Sequence, residues 1–463
     1  MLLLDFVRYQ EHLTGTKIGC REGDCGACTV LLGELKTGRG SSGEEKLRYR
    51  SAVSCLTALG NVHGKHVVTI EGVNREEGLN PLQQAICEEG GTQCGFCTPG
   101  FIVAMAGFCL GEAVPSYENA VAAVDGNICR CTGYKSIERA LGRIVVLLQG
   151  KKGGDVSAVD FVVDQQLLPA YFGEIGQRLR ALSLEPNGLF REKRGARFLG
   201  GGTDLYVQQH EEMEAMEEAD IDFLLHREGL RGIVQEGNRC WIGGSATVTD
   251  LMESPVIQRT FPRMDLFARL ISSTPIRNIA TLSGNFVNAS PIGDLSIFFL
   301  ALDAKLVLSD GSGASRELPL REFFRAYKVL NKRREEFIEK ISFEMPGEQT
   351  FFHFEKVSKR TYLDIASVNS AMRIRMNGDR IAEAHIAAGG VGPIPAYLAR
   401  ASAVLGGRRL EEAVIREAIE LARAEISPIA DARGTADYKR LLLGQLIKAH
   451  FLTLFPGLEV KKL

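Results

Sequence analysis

Ten of the eleven cysteines fall before Thr132. Cys20, Cys25 and Cys28 stand in the run Gly19-Cys20-Arg21-Glu22-Gly23-Asp24-Cys25-Gly26-Ala27-Cys28, a C-x4-C-x2-C spacing, with Cys55 downstream as a fourth thiolate. This is the plant-type spacing of a [2Fe–2S] cluster, in which one tight loop supplies three ligands and a distant segment the fourth. Gly19, Gly23 and Gly26 let backbone N–H groups turn toward the cluster sulfurs. A structural zinc site commonly pairs two short C-x2–4-C units, so a three-plus-one set fits it poorly. Gln93-Cys94-Gly95-Phe96-Cys97 and Cys129-Arg130-Cys131 form a second, two-plus-two set, where spacing alone leaves zinc as an alternative. Each of these pairs stands just before a predicted helix, whose free N–H groups and positive dipole end stabilise an anionic cluster. A second redox centre buried inside a helical bundle is therefore expected. Cys87, Cys109 and Cys240 have no such spacing and read as small buried hydrophobes. His63 and His66 read as decoration of a turn.

Two glycine-bearing loops offer a different chemistry. Phe198-Leu199-Gly200-Gly201-Gly202-Thr203-Asp204-Leu205 follows an apolar stretch, and its N–H groups can form a nest for a pyrophosphate. Thr281-Leu282-Ser283-Gly284-Asn285 again presents small donors, and Asp294 beyond it can accept from a sugar hydroxyl or a ring N–H. Surface turns use the same residues, so a plain turn is the alternative for each loop. No G-x-G-x-x-G opens a βαβ unit, and a Rossmann site is not supported.

These residues need positioning, and 463 residues suffice for about three domains. Hydrophobic content of 45% with 24% charged residues fits a globular chain and excludes wholesale disorder. A net charge of −2 argues against a nucleic-acid partner. The apolar run 101–110 is too short to span a membrane, and no signal segment opens the chain, so a cytoplasmic location is expected. Four helices are predicted at about 81–89, 99–110, 117–124 and 136–148, with Pro81 and Pro99 in first turns and Ser116 as a cap. Residues 67–70 read as a strand and 36–46 as an exposed loop. The stretch 150–164, extending loosely to Pro186, reads as a linker. Beyond it, helices are expected at 248–252 and 266–271 and a strand at 304–308. Strands at 371–376 and 381–388 then precede a helix at 411–424.

Taken together, CREGDCGACTV, TQCGFCTPG and NICRCTGY resemble the molybdenum hydroxylase family, the group of xanthine dehydrogenases and aldehyde oxidases. The resemblance implies a multidomain α+β chain. Its parts would be a ferredoxin-like [2Fe–2S] domain (1–76), a four-helix [2Fe–2S] bundle (77–150), a linker (151–186), an α/β FAD-binding domain (187–346) and a small C-terminal α+β domain (350–460). It assigns Cys20, Cys25, Cys28 and Cys55 to an outer cluster and Cys94, Cys97, Cys129 and Cys131 to an inner one. Gln93 matches a residue that touches molybdopterin. FAD would lie on residues 198–205 (Phe198, Leu199, Gly200, Gly201, Gly202, Thr203, Asp204 and Leu205) and on Thr281, Ser283, Gly284 and Asn285, with Asp294 and Lys356 near the flavin. Ala387-Ala388-Gly389-Gly390-Val391-Gly392-Pro393 is similar to the small domain that follows.

Two departures stand out. An N-terminal hairpin of about 15–20 residues is expected to be missing before the first helix, and Ile271 occupies a place where relatives put an aromatic against the flavin. The resemblance further implies the small subunit of a xanthine dehydrogenase. It would be paired with a molybdopterin-binding large subunit in a heterotetramer, passing electrons to NAD+ while the partner hydroxylates hypoxanthine and xanthine to urate. No hydroxylation residues are expected in this chain. An equivalent subunit of an aldehyde oxidase or other N-heterocycle hydroxylase is the alternative within the family. A zinc-binding, non-enzymatic scaffold is the alternative outside it.

Overall fold

In the computed structural model the described residues are 1–37, 45–150, 157–182 and 195–458. They fall into two compact units, Met1–His226 with Ser273–Ile279, and Arg227–Ser272 with Ala280–Leu463.

In the first unit β1 (Thr29–Thr37) and β2 (Glu45–Val53) are antiparallel partners, and β3 (His66–Val68) pairs with the other edge of β1. The chain opens with a short helix (Leu3–Asp5) and a π-helical turn (Phe6–Gln10). Leu2, Leu3 and Leu4 are buried, and the Leu3 amide donates to Thr57 O (2.8 Å), so the opening residues are tied into the core. The four predicted helices form at Pro81–Glu88, Thr98–Leu110, Tyr117–Ala123 and Lys135–Leu147. The first carries a capping box between Asn80 and Gln83, and Ser116 caps the third. Thr98–Leu110 is apolar on nearly every side and is buried accordingly. A Cβ at Gly107 would stand 2.9 Å from Leu31 Cδ2, so this helix lies close against β1.

Three expectations need correction. Lys36, Thr37, Glu45 and Lys46, expected in a loop at 36–46, pair as strand residues, and 38–44 lie outside the described residues. Residues 157–182 are not an extended linker. They form helices Ala158–Asp164 and Ile175–Ala181, and Val162, Leu167, Leu168 and Phe172 bury into the core around Tyr49 and His66. Positions 151–156 and 183–194, with the boundary expected at 187, lie outside the described residues, as does the end expected at 460. Cys109 and Cys240 are buried as expected, but Cys87 is exposed.

A parallel pair, β4 (Arg197–Leu199) and β5 (Ile221–Phe223), also belongs to the first unit. The second unit holds β6 (Ile233–Glu236), β7 (Arg239–Gly243), β8 (Lys305–Ser309) and β9 (Ser315–Pro319). The short pair β10 (Phe324–Ala326) and β11 (Val329–Leu330) precedes β12 (Phe337–Glu344), giving an antiparallel sheet ordered β6-β7-β12-β8-β9. A second antiparallel sheet is ordered β13 (Thr350–Val357), β14 (Val368–Asn377), β15 (Arg380–Gly389) and β16 (Ala396–Tyr397). Helix Asp294–Ala301, apolar all round, is buried in the core of this unit. Helices Glu412–Glu425 and Ala436–Leu454 pack in a separate core with β14 and β15. No helix among the described residues is long and apolar enough to cross a membrane.

Candidate iron–sulfur and flavin sites

The outer cysteine loop is held open by positive-φ backbone at Gly23 (78°) and Gly26 (66°). A Cβ at Gly19 would stand 2.5 Å from Cys25 Sγ, so the sulfur takes the space a side chain would fill. The amide of Glu22 donates to Cys20 Sγ at 3.3 Å, the kind of contact that tunes a cluster thiolate. Cys55 arrives on a 3-10 turn after β2. Both the amide and the hydroxyl of neighbouring Ser54 donate to Cys28 O, holding the segment of Cys55 beside that of Cys28. Cys28 and Cys55 are buried, while Cys20 and Cys25 are half-buried.

The sulfurs stand in hydrogen-bonded pairs. The Cys25 thiol holds Cys20 down to about 4 while Cys25 itself is pushed up. Cys55 in the same way lowers Cys28 and is itself raised. In the inner set Cys131 Sγ lies 3.6 Å from Cys94 Sγ, and Cys97 pairs with Cys129, with burial pushing Cys97 up to about 12. Two thiolates per iron is the ligation of a [2Fe–2S] cluster, whose positive charge would release the remaining protons. A single zinc ion needs four donors about one point, whereas a dinuclear cluster takes its thiolates two by two. The paired geometry fits two dinuclear clusters. His66 does not join a metal pair, because its Nδ1 is bonded to Tyr49 OH at 2.8 Å.

Cys97 is the N-cap of helix Thr98–Leu110, and Cys129 and Cys131 precede helix Lys135–Leu147, as the spacing predicts. The inner set is not enclosed, however. Cys129 is buried and Cys97 half-buried, but the loop residues Cys94 and Cys131 are exposed.

The two sets meet through backbone that the sequence did not flag. Ile128 donates its N–H to Cys25 O at 3.0 Å. Asn127 Nδ2 donates to Gly26 O (2.9 Å) and to Thr29 Oγ1 (3.3 Å). A Cβ at Gly26 would stand 2.3 Å from Gly126 O, and one at Gly100 2.3 Å from Gly26 O, so these two glycines permit the approach.

The flavin-loop residues divide between the units. In the first, Phe198 and Leu199 end β4, Gly200 to Gly202 form the loop, and Thr203, Asp204 and Leu205 open a six-residue helix. Gly202 has φ 82°, and a Cβ there would collide with the Tyr206 ring. Asn61, also unrecognised from sequence, donates to Gly200 O at 2.9 Å, and its own buried Oδ1 has no partner. In the second unit Thr281 caps helix Leu282–Asn288, its Oγ1 accepting from Gly284 N at 3.1 Å. Asn285 Oδ1 accepts from Ser296 Oγ at 3.2 Å. Ser283 Oγ is buried without a hydrogen-bond partner and close to Gly244, a donor left available for a ligand oxygen.

Asp294 and Lys356, 62 residues apart in sequence, form a buried ion pair. Lys356 Nζ donates to Asp294 Oδ2 at 2.8 Å and to Leu270 O at 2.6 Å. Burial raises the Asp294 carboxyl above its usual range, and Lys356 opposes that rise. Ile271 is buried in the apolar core of this unit.

Comparison with known proteins agrees with this division of chemistry. Residues 1–60 match the family described as a 2Fe-2S iron–sulfur cluster binding domain, and 69–142 a [2Fe-2S] binding domain. Residues 183–345 match the FAD binding domain in molybdopterin dehydrogenase, and 353–454 the CO dehydrogenase flavoprotein C-terminal domain. Xanthine dehydrogenase of Emericella nidulans is 27% identical over 89% of this chain and 34% of that protein. Aldehyde oxidase 1 of Rattus norvegicus is 26% identical over 99% of this chain and 38% of its own length. The chain thus spans little more than a third of these relatives. A solved chain of carbon monoxide dehydrogenase from Hydrogenophaga pseudoflava aligns with TM-score 0.53 and 27% identity, over 57% of this chain and 90% of that one. Two cluster-binding domains followed by two flavoprotein domains, in one order, place this chain in the molybdenum hydroxylase family, whose iron–sulfur and flavin part it carries.

Proposed function

We propose that the chain is the electron-transfer part of a xanthine dehydrogenase, working in the cytoplasm with a molybdopterin-binding partner in a heterotetramer and delivering electrons to NAD+. The observation that carries the electron-transfer part of this reading is the hydrogen bond from Ile128 N to Cys25 O, which joins the two cysteine sets through a few bonds of backbone. Two [2Fe–2S] clusters and FAD would supply the one-electron and hydride chemistry, while the protein sets position and potential. The exposed inner face, with Gln93, Cys94, Phe96, Arg130, Cys131 and Tyr134, is the surface offered to the partner. Amide donors near Cys20 and the burial of Cys28 and Cys55 tune the outer set. On the flavin side, in the second unit, the Ser283 hydroxyl would bind a phosphate or ribityl oxygen, and Asp294 with Lys356 would face the ring.

Aldehyde oxidase is the second reading, favoured by an identity nearly equal to that of the xanthine dehydrogenase. Co-expression with a molybdopterin-binding partner, followed by anaerobic addition of xanthine and then NAD+, tests the choice. Bleaching of the iron–sulfur and flavin bands by xanthine and recovery with NAD+ is the expected result. Bleaching by an aldehyde alone, or reoxidation by dioxygen alone, would overturn it.

A further inference from the structure

Asn369 lies on β14 between two partners in register, Lys356 on β13 and Gly389 on β15. It is fully buried. Its Nδ2 donates to Asp294 Oδ1 at 2.5 Å and to Ile292 O at 3.1 Å. Both carboxylate oxygens of Asp294 are thereby taken, Oδ2 by Lys356 and Oδ1 by Asn369. The Asn369 Oδ1 has no hydrogen-bond partner, and a Cβ at Gly389 would stand 2.2 Å from it. The Gly389-Gly390 pair therefore has a physical explanation. Gly389 leaves room for the carboxamide, and Gly390, at φ 78°, donates to Pro291 O (3.0 Å) in the loop leading to Asp294.

We infer that Asn369 is a positioning residue of the flavin site, fixing the plane of the Asp294 carboxylate and keeping it ionised against Lys356, with Gly389 as the vacancy that admits it. This rests on the reading that the flavin lies against Asp294 and Lys356. A buried carboxylate oxygen that loses its donor is destabilised in its charged form. Without Asn369 the carboxyl takes up a proton more readily, and the Lys356 ammonium is left uncompensated beside the ring. A positive charge there favours the reduced, more negative flavin, so the midpoint potential rises.

The test uses the full chain loaded with its cofactors and carrying Asn369→Ser or Gly389→Ala, read by FAD binding and by potentiometric titration of the flavin. The iron–sulfur absorption of the same samples reports whether the chain is folded. The expected result is an FAD dissociation constant raised about 10-fold, the size of losing a hydrogen bond to a charged group, and a more positive flavin potential. Unchanged flavin affinity and potential in both variants, while Lys356→Met moves them, would overturn the role of Asn369 alone. An unmoved flavin in Lys356→Met and Asp294→Asn as well would overturn the placement of the flavin, and this inference with it.

Discussion

Ile128 and Cys25 are joined by a backbone hydrogen bond of 3.0 Å, so the residue before Cys129 is bonded to a cysteine of the other set. Neither residue needs a particular side chain for this contact. What it needs is the absence of side chains at Gly26 and Gly100, together with the carboxamide of Asn127.

Gly26→Ala would place a methyl group 2.3 Å from Gly126 O, on backbone already at φ 66°. Strain of about 1–3 kcal/mol is expected from the dihedral alone. The variant should melt at lower temperature and exchange electrons between the two clusters more slowly, as followed by rapid-mixing absorption. Wild-type exchange in a folded variant would show that this contact is not the bridge.

Cys55→Ser and Cys131→Ser should each remove one cluster and leave the other. About half of the iron should be lost in either case, with only one of two electron-spin signals disappearing. Loss of both signals in Cys131→Ser would mean that the sets do not assemble independently.

Lys356→Met leaves the Asp294 carboxyl buried without its cation. Breaking a buried pair by removing one partner costs about 3–5 kcal/mol, so thermal unfolding of the variant should begin earlier and FAD should bind more weakly. Asp294→Asn in the same background removes the stranded charge and should recover part of the loss. A neutral result for Lys356→Met would contradict the burial of this pair.

Much of this was legible in the sequence, and the part that was not has a common cause. Cysteine spacing, Pro81 and Pro99 in first turns and the Ser116 cap are local signals, and the four helices formed where those signals put them. Asn61, Asn127 and Asn369 act on backbone or side chains 139, 101 and 75 residues away, and a lone Asn carries no local mark of so distant a partner. The region 157–182 reads as linker because the polar run before it, Gln149 to Asp155, resembles one, while Phe172, which anchors it against Tyr49 and His66, finds its partners only in the folded chain. The exposure of Cys94 and Cys131 was missed because spacing fixes ligand order but not depth.

His353 and His450 form a buried pair, Nδ1 to Nδ1 at 2.8 Å. Burial holds His353 down to about 4 and His450 well below its usual value. An unfolded histidine takes up its proton near pH 6.5, so between about pH 6.5 and 4 the unfolded chain binds more protons than the folded one. Stability should therefore be full above pH 6.5 and fall as the pH drops through that window. His450→Leu should flatten the fall, as measured by melting temperature against pH. An unchanged slope in that variant would assign the acid sensitivity elsewhere.

The central claim is that eight thiolates hold two dinuclear iron centres in a chain that also binds one flavin. Metal, labile sulfide and flavin analysis of anaerobically prepared full chain tests it most directly. About four irons, about four sulfides and one FAD per chain are predicted, with two distinct electron-spin signals after reduction. A colourless protein carrying zinc and no sulfide would contradict it.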